Sequence, residues 1–70
     1  MVWNNRVSRQ IRRIGFDSST GTMAVVFTDN TARYYRPVSY YLYTGFAHTK
    51  FPDRFYRHMI EGKIPLIPYP

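Results

Sequence analysis

The sequence contains no cysteine, which excludes disulfide bonds and thiolate zinc sites. Its two histidines, His48 and His58, are too few to form a metal cage by themselves. A domain of 70 residues buries only about 60% of its unfolded surface, so its core is marginal without such cross-links. Stability must therefore come from large side chains, and aromatic residues make up 19% of the chain. We expect one domain that holds no metal and no cofactor.

Long apolar runs are also lacking. No stretch approaches the roughly 20 apolar residues of a membrane helix, and residues 1–10 show no signal-peptide pattern. The absence of cysteine fits a reducing compartment. We therefore expect a cytoplasmic protein without a membrane partner.

Acidic residues are scarce. Asp and Glu number 4 against 10 Lys and Arg, so the formal net charge is +6. Most of the basic residues are arginines, whose planar guanidinium binds phosphate or carboxylate through paired hydrogen bonds. A compact basic domain suits an anionic partner, either nucleic acid or an acidic protein surface. A soluble surface with an unbalanced charge and no such partner accounts for the same composition, and the oligomeric state stays open.

The pattern of catalytic residue types is weak. No two carboxylates form an evident acid–base pair, and the scattered glycines form no phosphate-binding loop. Asp17 and Asp29 lie in predicted turns, where carboxylates usually bond to nearby backbone. Neither histidine stands at a spacing that specifies a nucleophilic serine or threonine. We expect that the protein is not an enzyme.

The N-terminal half predicts strands. Residues 9–16 form the first, and the step from Ile11 to Ile14 breaks strict alternation, so we expect a β-bulge near Arg12 and Arg13. Residues 17–21 have the composition of a turn.

The next two strands form a hairpin. Residues 22–28 alternate and are rich in β-branched and aromatic side chains, and residues 31–36 follow a turn. A two-residue loop places Tyr34 opposite Val25. A three-residue loop moves every side chain of the third strand to the other face. The sequence leaves both registers open.

Two helices follow. Ser39 is placed to cap the first, which ends near residues 48–49. Pro52 suits the first position of the second helix, and Gly62 suits its end. The apolar stripe of the second helix repeats at helical spacing, and we expect it to face the core. It consists of Phe51, Phe55, Tyr56, Met59 and Ile60.

These elements predict an α+β fold, a three-stranded antiparallel β-meander followed by two short helices packed on one face. Residues 1–8 form an N-terminal arm, either frayed or paired at a sheet edge. Trp3 is either a hydrophobic anchor for this arm, which we expect, or an exposed contact residue. Residues 9–63 form the domain. Residues 64–70 form an extended Pro-rich tail that packs over the core or binds a partner.

Arginine interleaved with aromatic residues is the strongest functional pattern. Arg33 and Tyr35 share one face of a strand, and such a face can hold phosphates by charge and stack unpaired bases on its rings. Tyrosines that pack half-buried beneath arginines explain the pattern equally well. The candidate residues for binding nucleic acid or a protein partner are Arg9, Arg12, Arg13, Arg33, Tyr35, Arg36, Arg54 and Arg57.

An acidic protein surface is the other possible partner. Tyr and Arg dominate interface hot spots, so Tyr40, Arg54 and Arg57 would be the anchors, together with the tail. An exposed edge strand would also accept a partner strand. Arg57 can instead pair with Asp53 or Glu61, each four residues away on the second helix.

A series of mostly apolar and glycine positions, with Asp17 and Lys63 among them, lies between residues 9 and 63. It comprises Ile11, the run Ile14-Gly15-Phe16-Asp17, Met23, Val25, Phe27, Tyr35, Val38, Leu42, Tyr43, Phe46, Phe55, Tyr56, Ile60 and Gly62-Lys63. This pattern resembles the KTSC domain family, a small module named for its occurrence at the C-terminus of some lysyl-tRNA synthetases and also found alone in bacteria and phages. Residues 9–63 are therefore interpreted as a KTSC-like domain.

The chain departs from the family pattern at three places. Asn30 replaces a glycine, Ser39 replaces a proline, and Phe51-Pro52-Asp53 replaces a Ser-x-Gly turn. If that turn binds a ligand in other members, this chain has lost the site. Most matching positions belong to the core, so the resemblance indicates the fold far more than the function.

The resemblance implies a bacterial or phage-infected cell and, through the link to a tRNA-charging enzyme, proximity to nucleic acid. We therefore expect a small basic non-catalytic module that acts on nucleic acid or nucleic-acid machinery through an Arg/Tyr surface. The alternative is a phage-type regulator that binds and inhibits a host protein such as an RNA polymerase or another nucleic-acid enzyme.

Overall fold

The computed structural model describes residues 1–5 and 8–68. These residues form an antiparallel sheet with strand order β1-β2-β3-β4-β5 and two helices. The strands are Val2–Asn4 (β1), Ile11–Asp17 (β2), Thr22–Phe27 (β3), Ala32–Tyr35 (β4) and Leu66–Ile67 (β5). The helices are Tyr40–His48 (α1) and Pro52–Phe55 (α2), and α2 continues as a π-helical turn over Tyr56–Ile60.

The predicted α+β class is confirmed, but the predicted number of strands is wrong. The sheet has five strands in the described part of the chain, because β1 pairs with β2 and β5 pairs with β4. β1 and β5 have three and two residues, too few to show the alternation that identifies a strand. Part of the arm therefore pairs at one sheet edge and part of the tail at the other. Residues 6–7 of the arm and 69–70 of the tail lie outside the described residues.

The predicted bulge in the first strand is confirmed. The register between β2 and β3 shifts between Ile11 and Arg13, which leaves Arg12 as the additional residue. Because of this shift, Ile11 and Ile14 both point into the core although they are three residues apart, and both are buried.

The loop between β3 and β4 has three residues. The Phe27 amide donates to the Thr31 carbonyl at 2.8 Å, which encloses residues 28–30. Asn30 has a φ of 69°, a left-handed conformation that asparagine adopts more readily than most residues. The sequence allows the register of a two-residue loop and that of a three-residue loop, and the structure has the latter.

This register decides which face of β4 enters the core. Val25 pairs with Arg33, and Met23 pairs with Tyr35, so all four side chains share the face that the helices cover. Tyr35 is consequently 1% exposed.

The core lies between that face, α1 and the π-helical turn. At its centre Phe46 is fully buried, and its ring stacks on Phe55 at 5.5 Å and on Tyr56 at 6.4 Å between centroids. Five of the twelve residues in the buried cluster are aromatic, and their large side chains add much of the buried area that a small domain needs. The buried hydrophobic cluster comprises Ile11, Ile14, Phe16, Met23, Val25, Tyr35, Val38, Tyr43, Phe46, Ala47, Tyr56 and Ile60.

The predicted stripe of the second helix is wrong at two of its five positions. Tyr56 and Ile60 are buried, but Phe51 is 63% exposed and Met59 is 49% exposed. Phe51 precedes the helix at its N-cap, outside the helical repeat. For Met59 the cause is the π-helical turn, in which the Glu61 amide donates to the Tyr56 carbonyl five residues earlier. A wider turn changes the angle between successive residues, so positions spaced for an α-helix no longer share a face.

The opposite face of the sheet carries Trp3. Trp3 pairs with Gly15, and a Cβ atom at Gly15 would lie 2.7 Å from the Trp3 ring. Glycine is therefore needed for the ring to lie flat on the sheet. The Arg13 guanidinium lies 4.7 Å from the centre of the same ring. Trp3 therefore attaches the arm to the sheet, but 43% of its side chain stays exposed, so the expectation of a mostly buried anchor holds only in part.

Replacement of Ser39 with alanine tests the start of α1. The Ser39 hydroxyl accepts a hydrogen bond from the Leu42 amide at 3.0 Å, and no acidic residue in the first turn supplements it. We expect the free energy of unfolding, measured by urea denaturation, to fall by about 1 kcal/mol. Ser18→Ala, in an exposed turn, is the matched control and should change it little. Equal losses for both variants would contradict a capping role.

Candidate functional site

The eight candidate binding residues do not form one surface. They divide into three groups according to their position in the fold, and one group lines a shared concavity. The groups are Arg33 with Tyr35 on the helix-covered face, Arg12, Arg13 and Arg36 at the bulge and the opposite face, and Arg9, Arg54 and Arg57 beside the second helix.

Tyr35 lies in the core. Its hydroxyl is 2.6 Å from the Tyr56 hydroxyl, and both side chains are buried. The prediction that Tyr35 belongs to an Arg/Tyr surface is therefore wrong, because the three-residue loop turns it beneath the helices.

Arg33 takes part in a network with internal partners. Its Nη1 donates to the Tyr56 hydroxyl at 3.3 Å and lies 3.5 Å from a carboxylate oxygen of Glu61. Burial, followed by the hydrogen bond with Tyr35, raises the pKa of Tyr56, so this hydroxyl stays neutral. The adjoining hydroxyls of Tyr35 and Tyr56 raise the pKa of Arg33. The neighbouring concavity of about 300 Å³ includes the carboxylates of Asp29 and Glu61, which oppose an anion there.

The arginines of the second group also contact other side chains. Arg12 and Arg36 donate to side-chain oxygens, and Arg13 lies over an aromatic ring. The contacts are Arg12 Nη1 to Asn30 Oδ1 at 3.1 Å, Arg36 Nε to Thr22 Oγ1 at 2.9 Å, and the Arg13 guanidinium over Trp3. These arginines help to fix the sheet and its loops.

The two turn aspartates have the structural role expected from sequence. Asp17 accepts hydrogen bonds from the hydroxyl and the amide of Ser19, and Asp29 accepts the same pair from Thr31. These hydrogen bonds, the hydroxyl one first, lower the pKa of each carboxyl group. Both carboxylates therefore stabilise their own turns.

The third group lines a concavity of about 340 Å³, which we name the basic concavity. It lies between the β1–β2 connection and the second helix. One arginine comes from the connection and two come from the helix. Its lining consists of Arg9, Gln10, Asp53, Arg54, Arg57 and His58.

Ser8 holds the two sides of the basic concavity together. Its hydroxyl donates to Asp53 Oδ1 at 2.9 Å and accepts from the Ile11 amide at 3.0 Å. The connection is thereby attached to the start of α2, and Arg9, the next residue, lines the same concavity as Arg54. Sequence reasoning missed Ser8, because its partner lies 45 residues away and no local pattern indicates the contact.

The basic concavity carries an excess of positive charge. It has three arginines and one carboxylate, Asp53, one oxygen of which accepts from Ser8. The expected pairing of Arg57 with Asp53 or Glu61 is absent among the described residues, where the ion pair is the one between Arg33 and Glu61. The π-helical turn accounts for this, because residues four apart are no longer stacked along it.

An apolar concavity of about 250 Å³ adjoins the basic one, and both include Arg54 and His58. Its apolar lining is Phe51, Phe55 and Met59. The Arg54 guanidinium lies 5.7 Å from the centre of the Phe51 ring. The sequence pattern assigned these apolar residues to the core, so this part of the site was not predicted.

Metal-ligating clusters and membrane-spanning helices are both absent from residues 1–5 and 8–68. In this part of the chain no cluster of three or more His, Asp or Glu side chains could hold a metal ion. No helix within it is long and apolar enough to cross a membrane.

No curated protein matches the chain. A family model described as the KTSC domain matches residues 7–63, a span that contains β2, β3, β4 and both helices. Because this span is well over half of the 70 residues, the chain belongs to the KTSC domain family.

Proposed function

We propose that the protein is a small non-catalytic module that binds nucleic acid through the basic concavity. The observation that carries this proposal is the convergence of Arg9, Arg54 and Arg57 on one concavity without a carboxylate for each. Guanidinium groups bind phosphate oxygens through charge-assisted, often bidentate, hydrogen bonds. Contacts to phosphate supply most of the affinity in non-specific nucleic-acid binding.

The net charge of the chain supports the same partner. A formal charge of +6 on 70 residues favours association with a polyanion at long range, and the concavity supplies a place for close contact. The alternative is a regulator that binds and inhibits a host protein, such as an RNA polymerase, through an acidic surface. Charge alone suits both, and the exposed aromatic ring next to Arg54 favours nucleic acid, because bases stack on such rings.

Salt dependence tests the proposal directly. We expect labelled single- or double-stranded DNA or RNA to bind at low salt, with the logarithm of affinity falling linearly with the logarithm of salt concentration. Three phosphate contacts give a slope of about −2 to −3, at roughly −0.7 to −0.9 for each contact. Fluorescence anisotropy between about 50 and 200 mM salt measures this slope.

A lysate pull-down with and without nuclease separates the two partner classes. Recovery of nucleic acid that nuclease removes supports the proposal. Recovery of one stoichiometric protein after nuclease treatment, together with no binding of any of the four oligonucleotides at low salt, would replace it with the protein-binding alternative.

A further inference from the structure

The apolar concavity beside the basic one indicates which form of nucleic acid binds, and this step rests on the proposed function. We infer that the ligand is single-stranded and that one unpaired base stacks on Phe51 while its phosphate lies in the basic concavity. The sequence pattern predicted that Phe51 faces the core. In the structure its ring is exposed, so a ligand can reach it.

Phe51 is held in position although it is exposed. Its ring is 63% accessible, yet the Phe51 amide donates to the Thr49 hydroxyl at 3.2 Å. Pro52 follows it, and a proline restricts the backbone of the residue before it. The ring is therefore presented on a constrained backbone, which limits the entropy that ordering it on a ligand would cost.

One side chain that lines the apolar concavity, Phe55, is packed on the core. The Phe55 ring stacks on the fully buried Phe46 ring with an angle of 6° between their planes. Met59, which is 49% exposed, lines the same concavity and can adapt its flexible side chain to a flat ligand. Phe55 and Met59 thus both offer apolar contact to a planar group in this concavity.

Charge complementarity identifies the occupant. The Arg54 guanidinium and the Phe51 ring are 5.7 Å apart, and Arg54 lines both concavities. A nucleotide combines an anionic phosphate with a planar base, and each part meets its complement here. In a duplex the base faces are stacked within the helix and unavailable, whereas a single strand exposes them.

The test compares a Phe51→Ala variant with the wild-type protein on strands of equal charge. We expect this variant to bind a single-stranded oligonucleotide about tenfold more weakly and a duplex unchanged. Phe51→Tyr retains a ring and should restore the affinity. Tyr41→Ala removes an exposed ring on α1, at a residue that is 84% exposed, and should have no effect.

An oligonucleotide with abasic positions isolates the stacking contribution. The wild-type protein should bind it about tenfold more weakly than the intact strand, and Phe51→Ala should cause no further loss on it. Circular dichroism of each variant checks that the fold is intact.

The outcomes separate this inference from the proposed function. Equal binding of intact and abasic strands, with Phe51→Ala unchanged and a steep salt slope, overturns the stacking site and leaves phosphate binding in place. Absence of binding to every strand overturns both. In another outcome, the Phe51→Ala variant fails to capture a protein partner that the wild-type protein captures, while it binds every oligonucleotide as tightly. That result assigns the apolar concavity to a protein partner and also overturns the inference.

Discussion

Replacing Phe46 with alanine is expected to lower the free energy of unfolding by about 3–5 kcal/mol. The ring is fully buried and stacks on both Phe55 and Tyr56. Its removal therefore leaves a cavity between α1 and the second helix. Domains have roughly 0.05–0.15 kcal/mol of stability per residue, or about 4–10 kcal/mol for 70 residues. This one substitution should therefore remove about half of the total.

Thermal and urea denaturation followed by circular dichroism measure this effect. The midpoint temperature should fall by at least about 12 °C, since each kcal/mol corresponds to roughly 4–8 °C in a domain of this size. Tyr41→Ala removes an aromatic ring from the same helix at an exposed position and is the matched control. A Phe46→Ala variant as stable as this control would show that the helix does not pack on the sheet as described.

Reversing the charges of Arg54 and Arg57 is expected to have a large effect on the affinity for nucleic acid. The double variant Arg54→Glu, Arg57→Glu should bind nucleic acid about 100-fold more weakly at low salt, at roughly tenfold for each lost contact to phosphate. The negative logarithmic salt slope should become shallower by about 2. Anisotropy titrations over the salt range above measure both quantities.

The control keeps the total change in charge constant. Lys50→Glu with Lys63→Glu alters the net charge by the same amount at two exposed residues that do not line the basic concavity. We expect a loss of less than about tenfold, since only long-range attraction changes. If both double variants weaken binding equally, the basic concavity has no special role and the charge of the whole molecule governs the affinity.

The sequence indicated the order and type of the main elements because their signals are local. The alternation in β3, the capping Ser39 and the Pro52 start of α2 depend on neighbouring residues, and each was predicted correctly. The edge strands β1 and β5 form through pairing with distant strands and carry no pattern of their own.

The π-helical turn accounts for a second group of errors. Helical spacing of 3.6 residues placed Phe51 and Met59 inside and paired Arg57 with an acid. The wider turn moved Met59 to the surface and left Glu61 to pair with Arg33, while Phe51 lies at the N-cap, before the helical repeat begins. Both parts of the proposed site therefore depend on a feature that periodicity does not reveal.

The candidate site was predicted in composition and not in arrangement. An excess of arginine indicated an anionic partner, and Arg9, Arg54 and Arg57 were among the residues named. Their convergence depends on the contact between Ser8 and Asp53, which are distant in sequence. Tyr35 was misassigned because the length of one loop, which composition does not fix, decides its face.

The two outer strands have a consequence for how the molecules behave towards one another. β1 and β5 lie outside the span that matches the KTSC domain, and they cover the edges of β2 and β4. Open edges of this kind recruit strands from other molecules and lead to aggregation. β5 is only two residues long and is flanked by Pro65 and Pro68, which lack the amide hydrogen needed to extend a ladder. At the β5 edge the sheet therefore offers few backbone groups on which a strand from another molecule could extend the ladder.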